Sequence, residues 1–362
     1  MSKVLMTLLI VSSLVSAFDY AFGNKLKLGT YFVKGFQNMG MLMLSMVGIY
    51  TLSPLIGKGL NTALSPLVKI MPIDPSVFVG LSFAPDMGGY PTAMIVAENA
   101  KIGMLSGAVL SSMLGATLVF TLPIAIGMIK KTDQMIFIKG LLYGLITVPF
   151  GGFISGLILD IPVLKLLLNL LPVLLFSVLM SYLLYKKPHK IMTIFSILSK
   201  IILITSTFGL ALGILDLMLG VKVINGLVPL EEGLVLVGKI TIVLSGAYPL
   251  LNVLTKVIQK YFSAVNERLH INSSSLLGLI STLTNCVPMF MTYDEMDDRG
   301  KLLNAAFVVG GGYVLGGQLA YVSTLSQVLV TPFVVGKLFS GIMAVLLASI
   351  VFSKQEGMNE NK

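Results

Sequence analysis

The sequence predicts an all-α membrane protein that crosses the bilayer many times and is built from two related halves. Of its 362 residues, 56% are hydrophobic and only 11% are charged, whereas soluble domains carry about 25% charged residues. Apolar runs of about twenty residues, the length of a membrane-spanning helix, recur along the chain. A set of residues also recurs at an offset close to 198 positions.

The apolar runs predict about 9–11 membrane segments, two of which are interrupted. The first run, with Lys3 before it and Val15-Ser16-Ala17 near its end, also fits a cleaved signal peptide. Because this run has a counterpart in the second half, we expect it to remain in the mature protein. The predicted segments are residues 4–22, 35–56, 75–97, 102–129, 135–159, 163–185, 191–219, 234–257, 273–291, 302–322 and 328–352.

The internal repeat predicts the domain organisation. Gly35, Gly48 and Tyr50 recur 198 positions later as Gly233, Gly246 and Tyr248, and Ile73, Ser76 and Gly80 recur as Ile271, Ser274 and Gly278. We expect a first transmembrane repeat at residues 1–159, a linking helix with a basic loop at 160–189, a second transmembrane repeat at 190–352, and a cytoplasmic tail at 353–362.

The basic residues predict that the two repeats are inverted. Loops rich in lysine and arginine favour the cytoplasm. The basic loops after the first, fourth, sixth and eighth segments can all be cytoplasmic if each interrupted segment enters and leaves on one side. Five full crossings then separate the copies, an arrangement that places a site near the midplane between them. Lys58, Lys69 and Lys101 would lie outside, and if both interrupted segments crossed fully, the copies would run parallel.

The third predicted segment combines an apolar sequence with helix-breaking residues and an acid. Pro85 and Pro91 each lack a backbone donor, and Gly88-Gly89 can leave helical angles. Irregular backbone at membrane depth survives only where it is buried in protein or lines a wet cavity, and an acid there marks a functional site. We predict that Asp86 lies at the break and helps to bind a small polar or cationic solute. The alternative is that Asp86 caps the helix that follows.

The ninth predicted segment carries a second break, at Asn285 and Pro288. A pocket between the two breaks would have one anionic wall and one neutral, hydrogen-bonding wall. Such a pocket suits a small solute with a cationic end and a hydroxyl or amide end. Tyr90 and Phe290 flank the breaks and could add cation–π attraction. Helix capping by Asn285 and plain packing of the two rings are the alternatives.

The fourth predicted segment has a face of small residues at every fourth position. These residues are Gly103, Gly107, Ser111 and Gly115. Because small side chains let another backbone approach closely, we expect this helix to pack tightly against a neighbouring element.

The other acids favour structural roles. Asp19 and Asp216 recur near the ends of equivalent segments, which indicates capping. The acids at positions 294, 295, 297 and 298 precede Arg299, a pattern typical of a helix N-terminus, with a salt bridge at a gate as the alternative.

Few side chains are available for other chemistry. Cys286 is the single cysteine, and His189 and His270 lie beside basic residues in predicted loops. An internal disulfide and a multi-cysteine metal site are therefore excluded, and we predict neither a metal nor another cofactor. The chain lacks a dense basic stripe for nucleic acid. Gly310-Gly311-Gly312 lacks the Gly-Lys-Ser/Thr end of a phosphate loop, so we expect it to serve packing or as a hinge.

Several motifs together resemble one family. The run Ala84-Pro85-Asp86-Met87-Gly88-Gly89-Tyr90 is similar to the Asp-Met-Gly-Gly signature of the ethanolamine utilization transporter family, EutH. Four further motifs in the same order resemble that family: Gly246-Ala247-Tyr248-Pro249, Asn285-x-x-Pro288-Met289-Phe290, Met296-Asp297-x-Arg299-Gly300-Lys301 and Val335-Gly336-Lys337-Leu338. The similarity extends over roughly residues 35–352. Where members are expected to carry an Asp-His pair, this chain has Gly317-Gln318.

The resemblance implies a bacterial inner-membrane protein that admits ethanolamine. Together with the residues, it predicts a carrier whose substrate-binding residues are Asp86, Gly88, Gly89, Tyr90, Asn285, Pro288 and Phe290. The predicted partners are a small amine and the lipid bilayer, and a homo-oligomer is possible. A channel-like pore for small polar solutes and an ion-coupled carrier of a different small amine or amino acid are the alternatives. An enzyme is not predicted, because paired catalytic groups at membrane depth are lacking.

Overall fold

The computed structural model describes residues 2–70, 73–259, 266 and 268–360. Over these residues the secondary structure is helical, with no strand. Eight helical stretches are long and apolar enough to cross a membrane, which confirms the prediction of an all-α protein with many membrane segments. They are Lys3–Ala21, Gly29–Ala63, Ala100–Met128, Gln134–Ile158, Val163–Lys186, Pro188–Leu219, Leu230–Val257 and Gln327–Ser353.

The described residues of the N-terminal half form nine helices, and π turns join some of them into longer rods. The turn Met43–Val47 joins α3 to α4, and the turns Leu105–Gly115 and Thr117–Thr121 join α7 to α8. The helices are α1 Ser2–Ala21, α2 Gly29–Gln37, α3 Met39–Leu42, α4 Gly48–Ile70, α5 Ser76–Ser82, α6 Tyr90–Val96, α7 Ala100–Met104, α8 Leu122–Met128 and α9 Gln134–Ile158.

Helix α10, Val163–Lys186, follows and leads into the C-terminal half. The described helices of that half are α11 Pro188–Leu219, α12 Leu230–Gln259, α13 Ser273–Thr282, α14 Val287–Met291, α15 Asp298–Gly311, α16 Gly317–Leu325 and α17 Gln327–Glu360.

The core and the outer surface are both apolar, as a bilayer requires. Helices α9, α15 and α17 pack against one another at the centre. On the outside, α1 and α10 present large apolar side chains, such as Phe18, Leu164 and Leu175, which are 64%, 73% and 62% exposed. Side chains of this kind contact lipid tails at no cost in desolvation.

Each interrupted segment folds back on itself. In the first, residues 74–99, the backbone N–H of Asn99 donates to Asp74 Oδ2 at 2.8 Å, and α5 packs against α6. In the second, residues 272–297, the N–H of Asn272 donates to Asp297 Oδ1 at 2.9 Å. These pairs lie 198 positions apart, with acid and amide exchanged. We call the two segments the first and second hairpins.

A third interruption corrects the prediction of an unbroken helix at residues 302–322. Helix α15 ends at Gly311, and Tyr313 adopts the left-handed conformation with φ +61°. The N–H groups of Tyr313 and Leu315 donate to carbonyls of Thr282 and Leu283 in the second hairpin, at 2.9 and 2.7 Å. The chain leaves the helix because these bonds satisfy its free backbone donors. The triple glycine lies where α15 ends and serves close packing, because a Cβ added at Gly310 would lie 2.5 Å from the backbone nitrogen of Gly341 in α17.

The small-residue face of the 100–128 helix packs on the first hairpin, as predicted. A Cβ added at Gly107 would lie 2.9 Å from Tyr90 Cα, and one at Gly115 would lie 1.9 Å from the carbonyl oxygen of Phe83. A corresponding close contact joins Gly316 to the second hairpin, since a Cβ added at Gly316 would lie 2.0 Å from the carbonyl oxygen of Thr284. The pair Thr284–Gly316 lies 201 positions after the pair Phe83–Gly115.

The first helix of each half packs on the other half. A Cβ added at Gly48 of α4 would lie 1.7 Å from the carbonyl oxygen of Ser206 in α11. A Cβ added at Gly246 of α12 would lie 2.0 Å from the carbonyl oxygen of Leu9 in α1. Gly246 is the repeat counterpart of Gly48. The halves therefore exchange their first helices in reciprocal contacts.

Candidate functional site

The turn of the first hairpin is irregular because its sequence cannot continue a helix. Phe83 and Ala84 are extended, and Pro85 cannot donate the bond that would join it to α5. Gly88 adopts φ +87°, a conformation that favours glycine. The Ala84 carbonyl accepts from the N–H groups of Met87 and Gly89 at 3.1 and 2.9 Å. These bonds hold the turn in one shape and leave the Asp86 side chain outside the backbone ladder.

The Asp86 carboxylate lines a cavity and does not cap a helix. Within the described part of the chain, the one hydrogen bond it accepts comes from its own backbone amide. The first amide of α6, at Tyr90, donates to the Pro85 carbonyl instead. The geometry therefore does not support the capping alternative, and the carboxylate can accept further hydrogen bonds from a ligand.

The central cavity around Asp86 has a volume of about 190 Å³. This volume leaves ample room for a solute of a few non-hydrogen atoms together with water. Its walls come from α3 and the turns on either side of it, both hairpins, the 100–128 helix, α12, and the α15–α16 break with the start of α16. They include Asn38, Met41, Ser45, Ala84, Asp86, Met87, Ala116, Phe120, Leu244, Tyr248, Thr284, Asn285, Tyr313, Gly317 and Gln318.

A wider vestibule of about 620 Å³ leads to the central cavity. Four residues line both spaces: Asn38, Tyr248, Thr284 and Asn285. Asn38 Nδ2 donates to Tyr248 Oη at 3.1 Å, so this contact between α2–α3 and α12 lies at their junction. The vestibule is also lined by Lys34, which lies on α2 shortly after the first basic loop.

Asn285 lies at the same junction, where its side chain can both cap a helix and contact a ligand. Its Oδ1 accepts from the N–H of Val287 at 2.9 Å, which caps the start of α14. Its side chain also lines the central cavity, so its amide nitrogen remains as a donor for a ligand. Asp86 and Asn285 are thus brought together, as predicted, with Pro288 nearby in the vestibule wall.

The other predicted site residues do not line the central cavity. Gly88 and Gly89 are buried and shape the turn. Tyr90 packs beside Gly107. Phe290 is 2% exposed and meets Phe137 edge to face at 5.7 Å between ring centres. The structure therefore places both aromatic rings in packing positions, which was the alternative to cation–π contact with a solute.

Lys337 is the main residue that the sequence reasoning did not single out. It lies on α17 and is 0% exposed. Its Nζ donates to Ser112 O at 2.8 Å, to Ser112 Oγ at 3.3 Å and to Gln318 Oε1 at 3.1 Å. One of these acceptors, Gln318, also lines the central cavity together with Asp86. A lysine inside the last apolar run was the available signal.

Among the described residues, two ion pairs connect the loop after α8 to the chain on either side of the start of α15. Lys130 Nζ lies 2.6 Å from Asp294 Oδ2, and Lys301 Nζ lies 3.0 Å from Asp133 Oδ1. The hydrogen bond from Lys130 lowers the pKa of Asp294, with its positive charge as a second cause. The first pair is exposed and adds little stability. Nearby, Asp297 caps α15 by accepting from the N–H of Gly300, as the acidic run predicts.

Asp19 is structural, as predicted. Its carboxylate accepts from the backbone N–H groups of Leu26, Leu28 and Gly29 at 2.7 to 3.0 Å. It therefore fixes the loop between α1 and α2 and is remote from the central cavity lining.

Comparison with known sequences places the chain in a family. The family described as "Ethanolamine utilisation protein, EutH" matches residues 1–351. The chain belongs to the EutH family. The match runs through both hairpins and Lys337, so the whole candidate site lies inside the EutH region.

Several EutH-like relatives cover the chain nearly end to end. A protein of Listeria monocytogenes named "Probable ethanolamine permease EutH" is 36% identical over all of this chain and 96% of its own length. An uncharacterized protein of Bacillus subtilis, YxeR, is 34% identical over 96% of this chain and 94% of its own. A Salmonella typhimurium "Probable ethanolamine permease EutH" is 33% identical over 91% of this chain and 86% of its own. No solved structure was found to match.

Proposed function

We propose that this protein is a carrier for ethanolamine or a similar small amine in the bacterial cytoplasmic membrane. The substrate binds as an ammonium beside Asp86, between the two hairpins. The names of the Listeria and Salmonella relatives support the substrate class. The eight apolar helices support a multi-pass membrane protein.

The observation that carries the proposal is the environment of Asp86. Its carboxylate faces a cavity within the membrane region and accepts no hydrogen bond from another described residue. A carboxylate taken out of bulk water is unstable without a cation or donors. An ammonium supplies both, because it carries a full charge and three N–H groups. The amide of Asn285 on the opposite wall can donate to the hydroxyl oxygen of ethanolamine.

We further propose that the two halves are inverted repeats. The closing hydrogen bonds of the two hairpins, Asn99 to Asp74 and Asn272 to Asp297, support segments that enter and leave on one side. Five full crossings then separate α1 from α11, so the halves face opposite ways. The first hairpin enters from outside and the second from the cytoplasm. The vestibule beside Lys34 then opens to the cytoplasm.

This topology gives a route for alternating access. The central cavity lies between hairpins that belong to different halves, so movement of one half against the other would open it to one side and then to the other. The contact between Asn38 and Tyr248 lies where the vestibule narrows to the cavity. We assign to it the role of an inner gate.

The test is uptake of labelled ethanolamine into proteoliposomes that contain the purified protein. Saturable uptake, competed by excess unlabelled ethanolamine and absent from protein-free liposomes, is the expected result. Flux that rises linearly with concentration, without counterflow, would favour the channel-like alternative. An absence of any flux above the lipid background would refute the proposed substrate.

A further inference from the structure

The buried amine of Lys337 is surrounded by hydrogen-bond acceptors. An ammonium has three N–H donors, and three acceptor atoms lie within hydrogen-bond distance: Ser112 O, Ser112 Oγ and Gln318 Oε1. The Ser112 hydroxyl donates its own proton to the Val109 carbonyl, so its oxygen is free to accept. The amine thus has a complete set of acceptors with no carboxylate among them.

The negative charge next to this cluster is Asp86. Among the described residues that line the central cavity, it is the one charged side chain. The other titratable groups that interact with Asp86 are the phenols of Tyr313 and Tyr321. Gln318 connects the two parts of this cluster, since it accepts from Lys337 and also lines the central cavity.

A bound substrate ammonium would give this cluster one positive charge too many. Without substrate, Asp86 and a protonated Lys337 sum to zero. With an ammonium in the cavity, two cations face one carboxylate in a low-dielectric region, where uncompensated charge is strongly unfavourable. A lysine can relieve this imbalance because its amine gives up a proton readily when buried, unlike the guanidinium of arginine.

We propose, on the basis of the carrier function above, that Lys337 is a proton-exchange residue that alternates with the substrate ammonium as the cation paired with Asp86. When an ammonium binds, an N–H bond of Lys337 breaks, the proton passes to water in the cavity, and the amine keeps the electron pair. When the substrate leaves on the other side, Lys337 takes a proton from water there. Each ammonium that enters is therefore exchanged for one proton, and the cycle moves no net charge.

The experiment uses proteoliposomes with a pH-sensitive dye inside and a potassium gradient with valinomycin to set the membrane potential. For the wild type, we expect the lumen to lose one proton per labelled ethanolamine taken up, at a rate that the potential does not change. The proton loss and the uptake measured with Asp86→Asn and with protein-free liposomes are subtracted from the wild-type values, since neutral amine crosses lipid unaided.

Lys337→Met gives the decisive contrast. Without substrate, the variant carrier would keep an uncompensated carboxylate, so its return to the side where substrate enters would be slow. With substrate bound, the variant carrier would be neutral. We expect net uptake to fall by about tenfold or more while exchange of labelled for unlabelled ethanolamine stays within about threefold of wild type. Residual net uptake should become sensitive to the potential. Lys239→Met, which removes an exposed lysine from α12, serves as the matched control and should behave as wild type.

Three outcomes would overturn the inference. They are uptake by the wild type that is driven by an inside-negative potential, equal net uptake in Lys337→Met and wild type, and loss of exchange in both Lys337→Met and Lys337→Gln while both variants keep the wild-type melting temperature. Each of these leaves saturable ethanolamine transport by the wild type in place. If that transport itself is missing, the proposed function fails and this inference fails with it.

Discussion

Replacement of Asp86 by asparagine separates a binding role from a structural one. The carboxylate caps no helix and accepts only from its own amide within the described chain. The substitution should therefore leave folding and insertion unchanged. The same change removes the negative charge that faces the central cavity, while the shape of the side chain is kept. We expect saturable ethanolamine uptake to be nearly abolished.

The magnitude follows from the contacts that a bound ammonium would have. A hydrogen bond to a charged group contributes about 1.5–3 kcal/mol, and each 1.4 kcal/mol is a factor of ten. The loss of one such bond alone raises the half-saturation concentration roughly 10- to 150-fold. The unpaired substrate charge adds to this loss, because an amide cannot neutralise a cation in a low-dielectric cavity.

The assay measures initial uptake rates across a range of ethanolamine concentrations, with the amount of reconstituted protein and its melting temperature checked in parallel. Asp160→Asn is the matched control. Asp160 lies in the loop after α9 at φ +53°, which asparagine tolerates well. Wild-type half-saturation in Asp86→Asn would refute the counter-ion role. A melting temperature that falls in Asp86→Asn but not in the control would point to a structural role instead.

Three further experiments test the rest of the site, the helix packing and the topology. Asn285→Asp keeps the helix cap and should retain stability, whereas Asn285→Ala should lower the unfolding free energy by about 0.5–2 kcal/mol; equal melting temperatures would contradict this. Gly115→Ala places a Cβ 1.9 Å from a carbonyl oxygen and should lower stability by about 1–3 kcal/mol, whereas Gly127→Ala, in open space, should raise it by about 0.5–1 kcal/mol. In a variant without the native cysteine, Glu98→Cys should react with an impermeant maleimide in intact cells and Glu295→Cys only in inverted vesicles. Labelling of both from one side would refute the inverted arrangement.

Local sequence was enough to find Asp86 and the two hairpin turns. Prolines, paired glycines and an acid inside an apolar run leave few physical solutions, since a broken backbone must be buried in protein or line a wet cavity. Asn285 was found for the same reason, through its break with Pro288. The function of each turn in shaping the cavity then depends on contacts between the halves, which local sequence does not contain.

The partners of Lys337 and the break at Tyr313 could not be predicted in the same way. The acceptors of Lys337 are on Ser112 and Gln318, which lie 225 and 19 positions away in the chain, and only the folded chain brings them together. Tyr313 leaves the helix to pair with the second hairpin, which again depends on tertiary contact. Phe290 illustrates the opposite case, because its place beside a predicted site gave no information on the direction of its ring.

The exchange of first helices between the halves has a consequence for biosynthesis. Helix α1 emerges from the ribosome first, but its close contact through Leu9 is with Gly246 of α12, 237 positions later. At about 5–20 residues per second, α1 waits roughly 12–47 s for this partner. During that time lipid is its main surrounding, and its many outward apolar side chains, such as Phe18, suit a helix that must be stable in the bilayer before its neighbour arrives.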